Sequence, residues 1–181
     1  MLFSEKSKLF EAAHPCAEVT VDGARFRYVV SGNEGGRTLV FLNGGMNTLG
    51  MWMDYVDGLS DEYRVLLFDY PQELRTNQEL VIGMHAFFER LNVKEPVFIG
   101  ASDGGMVAQI YVQEYPGEAG GLVLISTGGM DEAKLKSLKK LDKTPEEIVG
   151  FLDQVIQDHT RGAKLRFEGQ DNGPGKPRAM K

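Results

Sequence analysis

The chain has 181 residues, 42% of them apolar and 25% charged, which is the range of one ordinary globular domain that can bury a core without disulfides or a structural metal. No run approaches the roughly 18 uncharged apolar residues of a membrane-spanning helix. The start Met1-Leu2-Phe3-Ser4-Glu5-Lys6 lacks the basic-then-apolar order of a signal peptide, so a cytoplasmic, membrane-free protein is expected. The single cysteine, Cys16, excludes an internal disulfide and a Cys-rich metal site. The net charge of −6 is concentrated in an acidic body: residues 1–130 carry nine basic and seventeen acidic side chains, which argues against nucleic acid as a partner.

In chain order, the first dozen residues read as a short helix or a loose arm. Val19-Thr20-Val21 and Phe26-Arg27-Tyr28-Val29-Val30 flank Asp22-Gly23, the signal of a type I′ hairpin. After a Gly-rich turn over 31–37, Thr38-Leu39-Val40-Phe41-Leu42 is apolar without alternation, as a strand covered on both faces would be. Val65-Leu66-Leu67-Phe68, Val97-Phe98-Ile99 and Leu122-Val123-Leu124-Ile125 repeat that pattern. Helical spacing places Leu80, Met84, Phe87, Phe88 and Leu91 on one face of 76–91. It does the same for Val107, Ile110 and Tyr111 in 104–115, where Pro116 is the stop. Buried strands alternating with helices predict an α/β domain: a mostly parallel sheet with an antiparallel N-terminal hairpin and helices on both faces.

Beyond residue 130 the character changes. A Lys-rich helix is predicted over 131–141. A second begins at Thr144-Pro145-Glu146-Glu147, where Thr144 and Glu147 form a capping box. Its apolar stripe is Ile148, Phe151, Leu152, Val155 and Ile156. The chain thus divides into a core over 1–130, a helical lid over 131–160 and a basic tail over 161–181. The tail holds six Lys or Arg, four Gly and two Pro, and reads as a solvated, poorly ordered end.

The most specific feature is Gly100-Ala101-Ser102-Asp103-Gly104-Gly105, a G-x-S-x-G placed directly after a buried strand and directly before a helix. A serine on such a turn is lifted above the sheet edge, and glycines on either side leave room for the tight backbone. The Asp103 N–H and the helix N-terminus then face developing negative charge. The strand 38–42 ends in Asn43-Gly44-Gly45-Met46, a turn that can place a second oxyanion donor, either the Gly45 N–H or that of Met46.

These segments resemble the α/β-hydrolase superfamily in its esterase, haloperoxidase and C–C hydrolase branch. The matching residues are Leu42-Asn43-Gly44-Gly45, Trp52, Phe68-Asp69-Tyr70, the Ser102 turn, and Leu122-Val123-Leu124-Ile125-Ser126, across about residues 18–130. Two departures stand out. The family's His-Gly is Asn43-Gly44 here, and its Gly-x-Gly-x-Ser after the fourth strand is replaced by Pro71-Gln72-Glu73-Leu74.

The resemblance implies catalysis by Ser102 with Gly45 and Asp103 as oxyanion donors, a small acyl substrate (ester, thioester or activated carbonyl), and no cofactor or metal. The family order is serine, acid, histidine. His14 and His85 precede the serine, which leaves His159 as the only downstream histidine, on a predicted helix face. Asp131 and Asp171 are the candidate acids. The family's last strands do not follow, so the sequence implies a protein that continues past Lys181. The edge of 122–125 would otherwise be covered by 164–168 or by a second copy in a homodimer. The alternative function is a catalytically incomplete module that keeps the fold for binding or assembly. A nucleotide-binding reading fails because no Gly-x-Gly-x-x-Gly follows the first strand.

Overall fold

The computed structural model describes residues 1–128, 146–147, 149–150 and 152–157. The N-terminal stretch is a helix, α1 (Phe3–Ala13), seated through buried Phe10. The hairpin follows as β1 (Ala17–Val21) and β2 (Ala24–Gly32), paired antiparallel from Ala17 opposite Tyr28 to Val21 opposite Ala24. Both turn residues have positive φ, 48° at Asp22 and 84° at Gly23, as a type I′ turn requires.

Four strands complete a six-stranded sheet: β3 (Thr38–Leu42), β4 (Arg64–Phe68), β5 (Val97–Ala101) and β6 (Gly121–Ile125), in the order β1-β2-β4-β3-β5-β6. β2 meets β4 antiparallel, whereas β3 pairs parallel with both β4 and β5, and β5 with β6. A one-turn 3-10 segment (Leu49–Trp52) leads into α2 (Met53–Leu59). α3 (Asn77–Arg90) and α4 (Asp103–Glu114) are the two longer crossover helices. Thr76 starts α3 with a capping box: its hydroxyl accepts from the Glu79 N–H, and the Glu79 carboxylate accepts from the Thr76 N–H.

The unbroken apolar runs are explained by the two helical layers. Alternate residues of β3 and β4 point to opposite faces. Val40, Leu42, Leu66 and Phe68 pack under α3 and α4. Leu39, Phe41, Val65 and Leu67 pack with Phe10, Trp52 and Val56 under α1 and α2. Only a sheet buried on both sides can use such strands.

β6 differs. Its Leu122, Val123, Leu124 and Ile125 are 38–46% exposed, and among the described residues no strand pairs with its outer side. The 164–168 segment named for that edge, the 131–141 helix and the basic tail lie outside the described residues. Residues 146–147, 149–150 and 152–157 are helical, and Asp153 Oδ1 accepts from the Ser4 N–H at the start of α1 (3.0 Å). Among the described residues no helix is long and apolar enough to cross a membrane.

The α3 face centres on Phe87, fully buried, stacked on Phe26 at 4.3 Å between ring centroids and 5.4 Å from Phe68. Phe87→Ala is expected to cost about 3–5 kcal/mol, the range for emptying a packed aromatic site. Urea denaturation checks it, and a loss under about 1 kcal/mol would show that the face can collapse around the cavity.

Candidate active site

β5 is held on both sides by parallel neighbours, so its carboxyl end emerges in the interior of the sheet edge. There the chain turns sharply at Ser102 into α4. Ser102 has φ 53° and ψ −117°, a conformation that costs a non-glycine residue about 1–3 kcal/mol and persists only where its surroundings enforce it. They do. The Ser102 N–H donates to the Ile125 carbonyl (3.0 Å), while the Ser102 carbonyl accepts from the Gly105 N–H (3.1 Å) and the Thr127 hydroxyl (2.8 Å).

Glycine is required at this turn for close approach. A Cβ on Gly104 would lie 2.2 Å from the Leu42 carbonyl oxygen, and one on Gly100 would lie 2.5 Å from the Gly104 oxygen. The start of α4 therefore rests on the end of β3. The turn after β3 lies alongside the serine: a Cβ on Gly44 would be 3.5 Å from that of Ser102. The structure thus brings Gly44, Ser102 and Asp103, the first residue of α4, to one place, and Gly45 follows Gly44 in the same turn. Asp103 Oδ1 also accepts from Asn77 Nδ2 at 3.2 Å.

A hydrogen-bond stitch fixes this turn to the exit of β4. Asn43 Nδ2 donates to the Phe68 carbonyl (2.8 Å), and the Tyr70 hydroxyl donates to the Asn43 carbonyl (2.8 Å). Burial, with the Asp103 charge adding to it, pushes the Tyr70 phenol well above its usual range, so it stays a donor. Asn47 exchanges two bonds with the Tyr70 main chain: Nδ2 to the carbonyl (3.0 Å) and Oδ1 from the N–H (2.7 Å). Asp69 Oδ1 accepts from the Leu49 N–H (2.7 Å).

Behind the stitch, Arg27 bridges Asp69 (2.9 Å) and Glu11 of α1 (2.7 Å). Burial pushes the Asp69 carboxyl up, although the Leu49 N–H and Arg27 pull the other way. Burial likewise works against the Arg27 charge, but its hydrogen bonds to Asp69 and Glu11 prevail and hold it protonated. Sequence reasoning singled out none of Asn47, Arg27 and Thr127. Phe68-Asp69-Tyr70 was visible as a family match, yet its role as the anchor of the turn is a tertiary fact.

The two described histidines are engaged elsewhere. His14 Nε2 lies 2.9 Å from Asp57 Oδ1. His85 Nε2 lies 3.1 Å from Glu118 Oε2, with its ring stacked on Tyr115 at 4.0 Å. His159, Asp131 and Asp171 lie outside the described residues. A cleft of about 730 Å³ opens beside the stitch, lined by Glu11, Arg27, Thr48, Asp69 and Tyr70 among others, but Ser102, Gly45 and Asp103 do not line it. Among the described residues no three His, Cys, Asp or Glu side chains group as metal ligands.

This arrangement has a known home. A family model described as the alpha/beta hydrolase fold matches residues 37–178. The chain belongs to that family. Among curated relatives, it is 28% identical over 157 residues to the proline iminopeptidase PfmaB of Pestalotiopsis fici, covering 80% of this chain and 56% of that protein. It is 26% identical to a pimeloyl-[acyl-carrier protein] methyl ester esterase of Yersinia enterocolitica, covering 71% of this chain and 50% of that protein. The chain spans about half the length of the curated relatives it matches.

Among solved structures, a hydrolase from Pseudomonas aeruginosa aligns at 27% identity and TM-score 0.59, over 66% of this chain and 49% of that one. Naproxen esterase from Bacillus subtilis, at 19% identity and TM-score 0.59, shares the fold over 69% of this chain and 48% of its own. The mixed six-stranded sheet and its helices are those of the alpha/beta hydrolase fold.

The contact of Gly104 with β3 gives a direct test. Gly104→Ala places its methyl against main chain that cannot rotate away. It is expected to lower stability by upward of about 2 kcal/mol. Chemical denaturation measures this, and a variant as stable as the parent would show that α4 does not depend on the contact.

Proposed function

We propose that this chain carries the nucleophile and oxyanion elements of a serine hydrolase acting on a small ester, thioester or activated carbonyl. The observation that carries the reading is a serine held at positive φ between β5 and α4, with a glycine turn against its side chain. That is the geometry of a nucleophile elbow. The Ser102 Oγ adds to the carbonyl carbon, and the carbonyl π pair moves onto oxygen. The oxyanion is received by the N–H groups of Gly45 and Asp103, a pairing in which one donor is typically worth about 10²–10³ in rate. A general base takes the serine proton and returns it to the leaving alcohol or thiol; water then cleaves the acyl-enzyme.

Sequence order leaves His159 as the base from within this chain and Asp131 or Asp171 as the acid. Kinship with an esterase and an iminopeptidase supports acyl transfer as the reaction class. Residues 131–160 serve as the lid that shapes the acyl site. A second reading, a hydrolase-fold binding or assembly module without turnover, is favoured by one observation. Both described histidines are committed to other partners, His14 to Asp57 and His85 to Glu118.

A fluorophosphonate probe separates the two. The hydrolase reading expects a covalent mass increase on Ser102 and p-nitrophenyl ester turnover that Ser102→Ala abolishes. Labelling without turnover favours the module, with its elbow formed but no base. No labelling, and no turnover above that of Ser102→Ala, sinks the hydrolase reading for this chain.

A further inference from the structure

The stitch contains one side chain whose reach goes beyond holding the loop. Asn47 acts on the turn twice. Its side chain is locked in the plane of the Tyr70 main chain by the two bonds described above, 2.7 and 3.0 Å. Its own N–H donates to the Gly44 carbonyl at 3.0 Å, closing the turn 44–47. The Gly44 carbonyl and the Gly45 N–H belong to one planar trans peptide, so they point in opposite directions.

Fixing that carbonyl toward Asn47 therefore aims the Gly45 N–H away from Asn47 and out of the turn. No described group accepts from it. Two consecutive glycines give this peptide no rotational preference of its own, so the orientation must come from outside the turn. The preceding peptide is fixed separately, by the Tyr70 hydroxyl on the Asn43 carbonyl and by Asn43 Nδ2 on the Phe68 carbonyl. Both ends of the turn are thus tied to the exit of β4, and Asn47 is the tie that sets the Gly44–Gly45 plane.

We infer that Asn47 is a positioning residue: its amide clamps the exit of β4, and its N–H, through the Gly44 carbonyl, presents the Gly45 N–H to an oxyanion on Ser102. The inference rests on the serine-hydrolase reading for its chemistry, but the clamp itself does not. Asn47→Ala removes both side-chain bonds. Asn47→Asp keeps an acceptor for the Tyr70 N–H and loses the donor to its carbonyl, so an intermediate effect is expected.

Two measurements on the full chain test it. Hydrogen–deuterium exchange of the segment 43–49 is expected to quicken at least about tenfold in Asn47→Ala, with β3 and β5 unchanged; unchanged exchange overturns the clamp, whether or not Ser102 reacts. With a fluorophosphonate or p-nitrophenyl ester, Asn47→Ala is expected to lower the maximal rate by about tenfold to a hundredfold with KM unaltered, and Asn47→Asp by less. Met84→Ala, a core deletion on the buried face of α3, serves as the control that loses stability without that split. Rates equal to the parent, or a loss that Met84→Ala reproduces at matched stability, overturn the positioning role. A parent chain that neither labels nor turns over defeats the hydrolase reading instead, and the exchange data alone then decide the clamp.

Discussion

The packing of α4 against the end of β3 is the constraint from which the rest of the site follows. At Gly104 the two backbones are closer than any side chain permits. The contact sets how far the helix start stands above the sheet. It also fixes where Asp103 begins the helix and how near the Gly44 turn lies to Ser102. The parallel pairing of Leu42 with Gly100 supplies the register that makes this possible, because the two strands end within one residue of the same level. A shift of one residue in that pairing would separate the serine from the turn and would send every side chain of the strand to the other face.

A strained serine needs rigid neighbours, and the molecule provides them from both flanks. On one side Ile125 at the end of β6 takes the Ser102 N–H, and Thr127, two residues further on, binds its carbonyl. On the other, the turn after β3 is anchored by Phe68, Asp69 and Tyr70, and behind them by Arg27 and Glu11. The charged part of this anchor is partly buried, where losing one partner costs more than the pair contributes by forming. Elements far apart in sequence, α1 and α4 among them, thus converge on one short loop.

Much of this was legible in the sequence. Doubly apolar runs at 38–42 and 65–68 announced a sheet covered on both faces, because strand periodicity records burial directly. Asp22-Gly23 announced the hairpin because few residues tolerate positive φ twice in succession. Gly100-Ala101-Ser102-Asp103-Gly104 was readable because it couples strand, turn and helix within a few residues. The seating of α1 was not readable: its mean hydropathy is low, and it is held by Phe10 together with pairs from Lys6 to Asp54, from Glu11 to Arg27 and, at its C-cap, from His14 to Asp57, which only the tertiary fold creates. Nor was Asn47, since an asparagine after two glycines reads as ordinary turn chemistry until the exit of β4 is brought beside it. The run at 122–125 read as interior, and its side chains are half exposed because β6 has one described neighbour.

The strand order has a consequence for how the protein is made. β3 lies between β4 and β5, so the strand bearing the turn receives its first sheet partner when residues 64–68 have been synthesised and its second only with residues 97–101. Parallel pairings across such separations close slowly. In the interval β3 presents an open edge whose residues are apolar on both faces, the kind of surface that pairs with other chains. The strand on which the site is built therefore stays open to misassembly during synthesis until β5 arrives to cover it.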